Sequence, residues 1–425
     1  MTTTLALIVL PLILLVLGVP IYVALLAAAG TGLLVAGYPL AQLHSSTFGG
    51  LDNFPLLAIP LFIFAGEVMG RGGLARRLVE WALSLIGGVR GSLALATIAS
   101  SELFGAMSGS SVGCVAAIGR LMVPELKFRG YDATFAGSLI ASCGSIAVII
   151  PPSIPMIIYG IAAQQSVPRL FLAGIVPGLL IGLMISAYLL IHARINMIPL
   201  TSGLRWKNVA HTTIDAFWSL LAPIVILGGI YGGVFTPTEA AGVACIYAVL
   251  VARYIYRELT WLEIWRTAMD AGVLTSQILM IVAAAGAYSW LITISGFPQK
   301  LVDFIVSLGL QTWLVILTVN VVLLFFGSVL EPPAAILILT PLLTPIAQQA
   351  GLDQIHFGII VTVNLAIGLF MPPFGLNIFA THALFGIPLP QLYRGIFPFL
   401  IIYLIALILI TYVPAITLFP LKFLH

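Results

Sequence analysis

Two stretches of this chain interrupt apolar helix-forming sequence with the same backbone-breaking residues in the same order. Advancing 221 positions carries Phe104 onto Phe325, Pro124 onto Pro345, Gly130 onto Gly351 and Asp132 onto Asp353. The same shift takes Gly137 to Gly358, Pro151 and Pro152 to Pro372 and Pro373, Gly174 to Gly395, and Pro177 to Pro398. Gly and Pro fix what the backbone can do, whereas apolar side chains fill space and exchange freely. A shared ungapped register of Gly, Pro and Asp therefore marks two homologous structural halves, not coincidence in a Gly- and Pro-rich chain.

The residues between the breaks decide the solvent. The chain is 61% hydrophobic and 7% charged over 425 residues, with mean hydropathy +1.17. Soluble domains carry about 25% charged residues, so this is a polytopic membrane protein. At ~20 apolar residues per crossing, about ten to twelve segments fit. The apolar runs are continuous rather than alternating, which excludes a transmembrane barrel and leaves an all-α chain. A formal charge of +3, scattered, gives no surface for nucleic acid. Cys114, Cys143 and Cys245 lack paired spacing and lie in apolar runs, as structural thiols do. The first apolar run, Leu5 to about Gly37, exceeds a signal h-region and reads as a retained membrane segment, with a possible break at Pro20. Basic residues occur on most connections, so they do not orient the chain.

Along the chain a second span is expected from Pro55 to Met69, followed by an amphipathic arm over residues 72–87. Arg77, Leu78, Val79, Glu80 and Trp81 return as Lys300, Leu301, Val302, Asp303 and Phe304, a shift of 223. An arm written twice is a mechanical support more than an ordinary connector. Residues 104–124 are too short for a crossing and close on Arg120, Glu125, Lys127 and Arg129, which predicts a re-entrant hairpin; 327–347 repeats it with Glu331, Pro332 and Pro333 at the tip. Broken helices follow at about 133–163 and 357–385, each interrupted by Pro-Pro, and a polar connection, 192–215, joins the halves.

Irregular backbone at membrane depth persists only when buried in protein or lining a wet cavity. Short segments interrupted at matching places in two halves point to a transporter's binding site. Pro donates no N–H, so the carbonyls before Pro-Pro lose their helical partners and present hard oxygens to a small cation. One sodium site is expected where Ser108 and Ser110 meet Ala147, Ile150 and Pro152. The second is expected where Gly327, Ser328 and Glu331 meet Gly368, Met371 and Pro373. The alternative is a pair of Pro kinks stabilised by Ser hydroxyls with no ion. Glu331, a carboxylate in a spanning region, either serves the cation, gates substrate, carries a proton or caps a helix. Ser111, Ser153 and Asn377 are candidates to face a carboxylate substrate, with local capping as the other use of Ser153 and Asn377. Arg120, Lys127 and Arg129 read as interface anchors.

These residues resemble the large membrane subunit (DctM/SiaM type) of tripartite ATP-independent periplasmic transporters. The matching segments include Ala58-Ile-Pro-Leu-Phe-Ile-Phe-Ala-Gly-Glu67, Ser108-Gly-Ser-Ser111, Gly130-Tyr-Asp132 and Ile149-Ile-Pro-Pro-Ser-Ile-Pro-Met156. Others are Leu170 to Gly178, Glu239-Ala-Ala, His356-Phe-Gly358 and Asn364 to Asn377, so the resemblance runs from near residue 55 to the C-terminus. Ala147 departs from it, since the family usually has Gly there.

The resemblance implies an inverted-repeat elevator of the ion transporter superfamily type. Segments 1–91, 169–311 and 389–425 would form scaffold and arms, and 92–168 and 312–388 the two transport-domain halves. It further implies about two sodium ions, no organic cofactor and no enzymatic activity. A small carboxylate of the sialic acid or C4-dicarboxylate class would be imported across a bacterial inner membrane. The implied partners are a four-helix small subunit (DctQ/SiaQ type) and a periplasmic binding protein (DctP/SiaP type). The rival classes are a re-entrant-loop channel and an intramembrane serine hydrolase using Ser110 or Ser111. Against the hydrolase, no His is placed by a motif as a base, and the second tip is poorer in Ser.

Overall fold

The computed structural model describes residues 2–199 and 205–423, and every regular element among them is helical. The N-terminal run is broken at the expected place: α1 (Thr2–Val16) stops before Gly18, whose φ is +79°, and α2 (Ile21–Ala36) starts after Pro20. α3 (Ala41–Leu51) follows, and a 3-10 turn leads into α4 (Ala58–Arg71). The first arm is α5 (Leu74–Leu85), entered through left-handed Gly73.

Next come α6 (Ser92–Ser108) and α7 (Ser111–Phe128), which pack on each other as a helical hairpin. Both arms run further than the expected 104–124. Charges from Arg120 to Arg129 are carried on the last turns of α7, and its Pro124 is accommodated within the helix. The first broken helix is α8 (Ala133–Ile146) and α9 (Ile154–Ala162), followed by the long α10 (Val167–Ile195). The central connection contains α11 (Trp206–Asp215), then α12 (Phe217–Tyr231) and α13 (Pro237–Leu250), extended by a π-turn to Ile255.

The next element is one 34-residue helix, α14 (Trp261–Ile294), started by a Thr260–Glu263 capping box. The second arm is α15 (Phe297–Ser307), the second hairpin α16 (Thr312–Val329) and α17 (Pro332–Gln349). The second broken helix is α18 (Gln354–Gly368) and α19 (Leu376–Phe385), and α20 (Leu389–Tyr412) and α21 (Ala415–Leu418) end the chain.

Among the described residues six helices are long and apolar enough to cross a membrane, or seven if α11 and α12, bent by 59°, form one span. The ten to twelve crossings expected from composition do not appear by that measure, because breaks shorten the helices. With α2 at 16, α8 at 14 and α18 at 15 residues, much of the apolar sequence lies in segments below the crossing length.

Packing sorts the helices into two sets. α2, α3 and α4 gather on α14, with α13 on α4; the α3–α14 seam closes so tightly that a Cβ on Gly50 would lie 3.0 Å from the Gly286 Cα. Such glycine seams let membrane helices approach closely. The other set centres on α8 and α18. The long helices α10 and α20, assigned above to flanking segments, pack on both broken helices and on each other. The arm α5 braces α6 and α7, and Arg77 ties it to Glu258 in the α13–α14 turn at 3.1 Å.

Candidate functional site

In the first half the chain leaves α6 through Gly109, left-handed at φ +59°, and Ser110 caps α7 by accepting from the Gly113 N–H at 3.1 Å. This tip meets the Pro-Pro break. A Cβ on Gly109 would collide with the Pro152 carbonyl oxygen, and one on Gly105 would lie 2.6 Å from the Ala147 Cα. Gly66 of α4 presses on the same tip, its Cβ position 2.8 Å from the Ser108 Cβ.

The break leaves its carbonyls bare for a reason legible in the sequence. The helical donor for the Ala147 carbonyl would be residue 151, for Val148 residue 152 and for Pro151 residue 155, and all three are Pro. The Val148 carbonyl is rescued by the Ser153 hydroxyl, which also caps α9. The carbonyls of Ala147, Ile149, Ile150, Pro151 and Pro152 accept no hydrogen bond among the described residues. Ala147 and Ile149 are fully buried and Ile150 is 8% exposed. Buried carbonyls are almost always paired with protein, water or an ion. Five such oxygens within six residues fit a hard cation.

The second half uses the same parts with a different outcome. The tip again meets the break: a Cβ on Gly368 would collide with the Gly327 carbonyl oxygen. Both Pro-Pro bonds, Pro151–Pro152 and Pro372–Pro373, are cis. Here more of the break is paired, although the Phe370 and Pro372 carbonyls likewise accept no hydrogen bond among the described residues. Met371 N–H donates to Gly368 O at 3.3 Å, Asn377 N–H to Leu369 O at 2.8 Å, Gly375 N–H to Met371 O at 3.0 Å and Tyr393 O–H to Pro373 O at 2.8 Å. Each of those carbonyls keeps one free lone pair. Ser328 donates to Phe325 O at 2.8 Å.

Glu331 departs from expectation. It is exposed at the second tip and gives α17 no side-chain cap, so it is neither a buried membrane carboxylate nor a helix cap. Its separation from the break follows from the geometry of the tip: the carbonyl of Gly327, four residues earlier, makes the contact.

Of the substrate candidates, Ser153 is wholly buried and committed to capping. Ser111 and Asn377 come together. The Ser111 hydroxyl donates to Asn377 Oδ1 at 2.6 Å, while Asn377 Nδ2 donates to Ala141 O at 2.9 Å and Ser145 Oγ at 3.1 Å. Asn377 thus ties the second break to the first hairpin and first broken helix. Missed on the sequence were Gly105, Gly66 and Glu102 of α6. Glu102 directly follows Ser100 and Ser101 on α6, and the rule that singled out Glu331 applies to it equally.

Among the described residues no group of three His, Cys, Asp or Glu is placed to hold a metal ion. The three cysteines are free and buried.

Comparison with known proteins agrees with this architecture. Residues 8–416 match the family described as "Tripartite ATP-independent periplasmic transporter, DctM component". The chain is 41% identical over 393 residues, 92% of each chain, to the C4-dicarboxylate TRAP transporter large permease protein DctM of Pseudomonas aeruginosa. It is 39% identical to the isethionate TRAP transporter permease protein DctMQ of Oleidesulfovibrio alaskensis, covering 95% of this chain and 64% of that one. It is 36% identical to the ectoine/5-hydroxyectoine large permease protein of Ruegeria pomeroyi, covering 96% of both. In fold it is similar to the crystal structure of the Alcanivorax borkumensis YdaH transporter, with a TM-score of 0.63 at 12% identity over 88% of each chain. The chain, a multi-pass membrane permease and not an enzyme, belongs to the DctM component family of tripartite ATP-independent periplasmic transporters.

Proposed function

We propose that this chain couples sodium entry to the import of a small carboxylate of the C4-dicarboxylate class, by elevator-like movement of its two broken-helix units. One observation carries the reading: five carbonyls between Ala147 and Pro152 have no donor among the described residues, and those at the two ends, Ala147 and Pro152, lie against Gly105 and Gly109 of the tip. A hard monovalent cation supplies what they lack. The second site, at Gly327 and Gly368, is the weaker of the pair, since more of its carbonyls are already engaged.

The substrate class rests on relatives named for C4-dicarboxylates at 41% and 38% identity. Family membership supports partnership with a small membrane subunit and a periplasmic binding protein in a bacterial inner membrane, and the relative named DctMQ fits a paired membrane subunit. The inverted relation of the halves belongs to the same reading. So does the moving unit, to which the packing of α10 and α20 adds these two helices. Each sodium ion crossing 100 mV contributes ~2.3 kcal/mol, so two support roughly thousandfold accumulation of a neutral load.

The test is uptake of labelled succinate into proteoliposomes containing this chain, its small subunit and the binding protein. Replacing external sodium by choline is expected to abolish accumulation. Uptake that persists unchanged in choline ends the sodium-coupled reading and leaves a channel-like route.

A further inference from the structure

Glu102 is a partly buried carboxylate on α6, directly after Ser100 and Ser101 and two turns before the tip that meets Ala147 and Pro152. Its Cδ lies 2.7 Å from where a Cβ on Gly182 of α10 would stand, so the carboxyl group occupies the space a side chain on α10 would fill. The 221-residue shift places Leu323, fully buried, at the equivalent point of the second half, so the acid is a feature of one half only. Ionisable groups at membrane depth are rare, and their presence marks ion or proton pathways.

What surrounds Glu102 narrows its ligand. The titratable groups close enough to feel its charge are Cys143 of α8 and Tyr403 of α20, with Cys114 of α7 beside them. All three are buried and neutral; the Tyr403 hydroxyl already donates to Ser142 O at 2.7 Å. On α10 the facing residue is Gly182, and the next titratable group, Tyr188, stands six residues on. The charges of α4 are engaged elsewhere, Arg71 with Glu67 at 3.2 Å and with Asp270 at 2.9 Å. On α5, Arg76 and Arg77 pair with Glu258, and Glu80 is exposed; α12 contributes only the phenol of Tyr231. No ion pair with Glu102 forms among the described residues, and no cluster of acids is present to hold a metal ion. A partly buried carboxylate with no cationic partner is neutralised most readily by a proton.

We propose that Glu102 is a proton-binding site, separate from the carbonyl sites, and that its proton enters with the substrate as a third cation. The step is a simple transfer: external water gives a proton to the Glu102 carboxylate before hairpin α6–α7 moves, and internal water takes it back afterwards. This deepens the proposed function and rests on it. A dianion with two sodium ions moves no net charge; one added proton leaves a single positive charge for the membrane potential to draw inward.

Two measurements decide it. The first is infrared difference spectroscopy of the full chain in lipid between acid and alkaline pH. A protonated-carboxyl C=O band that changes with pH is expected in the wild type, absent in Glu102→Gln and displaced in Glu102→Asp. An identical band in wild type and Glu102→Gln overturns the site. The second uses proteoliposomes with a trapped pH indicator, a sodium gradient and succinate. Lumenal acidification should accompany uptake in the wild type, whereas Glu102→Gln should keep sodium-dependent uptake and lose the acidification. If Glu102→Gln fails to fold, the wild-type recording still decides, because sodium-driven uptake with no acidification sinks the third-cation role. If choline supports full uptake, the sodium reading fails instead, and the infrared band reports on Glu102 independently.

Discussion

Ala147 and Gly368 hold the same place in the two halves, each the residue four before the first proline of a Pro-Pro break. Around Ala147 the chain is buried throughout, and its carbonyl is left without a donor. Around Gly368 the break opens outward: Pro373 and Phe374 are exposed, and the Gly368 carbonyl accepts from Met371. The neighbouring carbonyls show the same contrast. Val148 and its counterpart Leu369 both find donors, but Val148 takes a side-chain hydroxyl from Ser153, whose counterpart is Phe374, whereas Leu369 takes the backbone N–H of Asn377. One sequence skeleton therefore serves two ends. The buried copy leaves more of its oxygens without a donor; the open copy pairs more of them and sends a side chain, Asn377, into the other half.

The sharpest way to break this comparison is at the tip contacts, where the glycine sits on opposite partners. At the second junction a methyl on Gly368 runs into the Gly327 backbone, which cannot yield without moving a hairpin. Gly368→Ala is expected to cost about 3 kcal/mol or more, lower the unfolding temperature by several degrees and abolish uptake. Gly327→Ala meets first the Leu365 Cδ2 at 3.0 Å, a side-chain end that can rotate, so a loss near ~1 kcal/mol is expected. At the first junction the order reverses: Gly105→Ala meets the Ala147 Cα at 2.6 Å and should rank with Gly368→Ala. Thermal unfolding of the three variants checks the ranking, and equal costs for Gly327→Ala and Gly368→Ala would remove the asymmetry.

Next in size is the cross-link. Asn377→Ala strands the Ser111 hydroxyl and leaves the Ala141 carbonyl without that donor, both buried, for an expected loss of about 1–3 kcal/mol. Ser111→Ala should cost less, because Asn377 keeps two bonds to the first broken helix. A double-mutant cycle between the two positions should show coupling of about 0.5 kcal/mol or more; additivity would mean the halves are not joined here.

Smaller again, and aimed at the ion, is a pair of Ser substitutions. Ser108→Ala removes a buried hydroxyl at the first tip, which accepts the Ser110 N–H at 3.4 Å and has no acceptor for its own proton among the described residues, and should raise the sodium concentration for half-maximal uptake about tenfold, near ~1.4 kcal/mol. Ser328→Ala removes a hydroxyl already bonded to Phe325 O, so a shift of about threefold or less is expected. Sodium titration of uptake measures both; a larger shift for Ser328 would exchange the ranks of the two sites.

Much of this was legible in the chain itself, since Gly and Pro act through the backbone and need no partner to be read. The breaks after Ile146 and Gly368, both arms and the Pro20 interruption all follow from local sequence. The burial of each break was not legible, because it depends on what packs against it: Gly66 and Gly105 on one side, open surface on the other. Nor was the Ser111–Asn377 bond, whose partners stand 266 residues apart. The extent of the hairpin arms was misjudged for a physical reason. Charges at 120–129 were taken to end the helix, but a helix continues through charges wherever its last turns reach polar surroundings.

The smallest expected effect falls on the residue that the sequence singled out most strongly. Glu331 stands at the second tip as Ser110 stands at the first, but Ser110 caps its helix through Gly113 and Glu331 caps nothing. Since the Glu331 side chain is exposed, removing its charge leaves no buried group stranded. Glu331→Gln should therefore change stability by less than about 0.5 kcal/mol, the range of ordinary surface substitutions. If the Gly327–Gly368 contact alone builds the second site, the variant should also leave the sodium dependence of uptake within about twofold of wild type, a difference of ~0.4 kcal/mol. A tenfold loss of sodium affinity in Glu331→Gln with unchanged unfolding temperature would show that the carboxylate reaches the ion when the tip moves. The open half would then differ from the buried one in carrying its ligand on a mobile side chain.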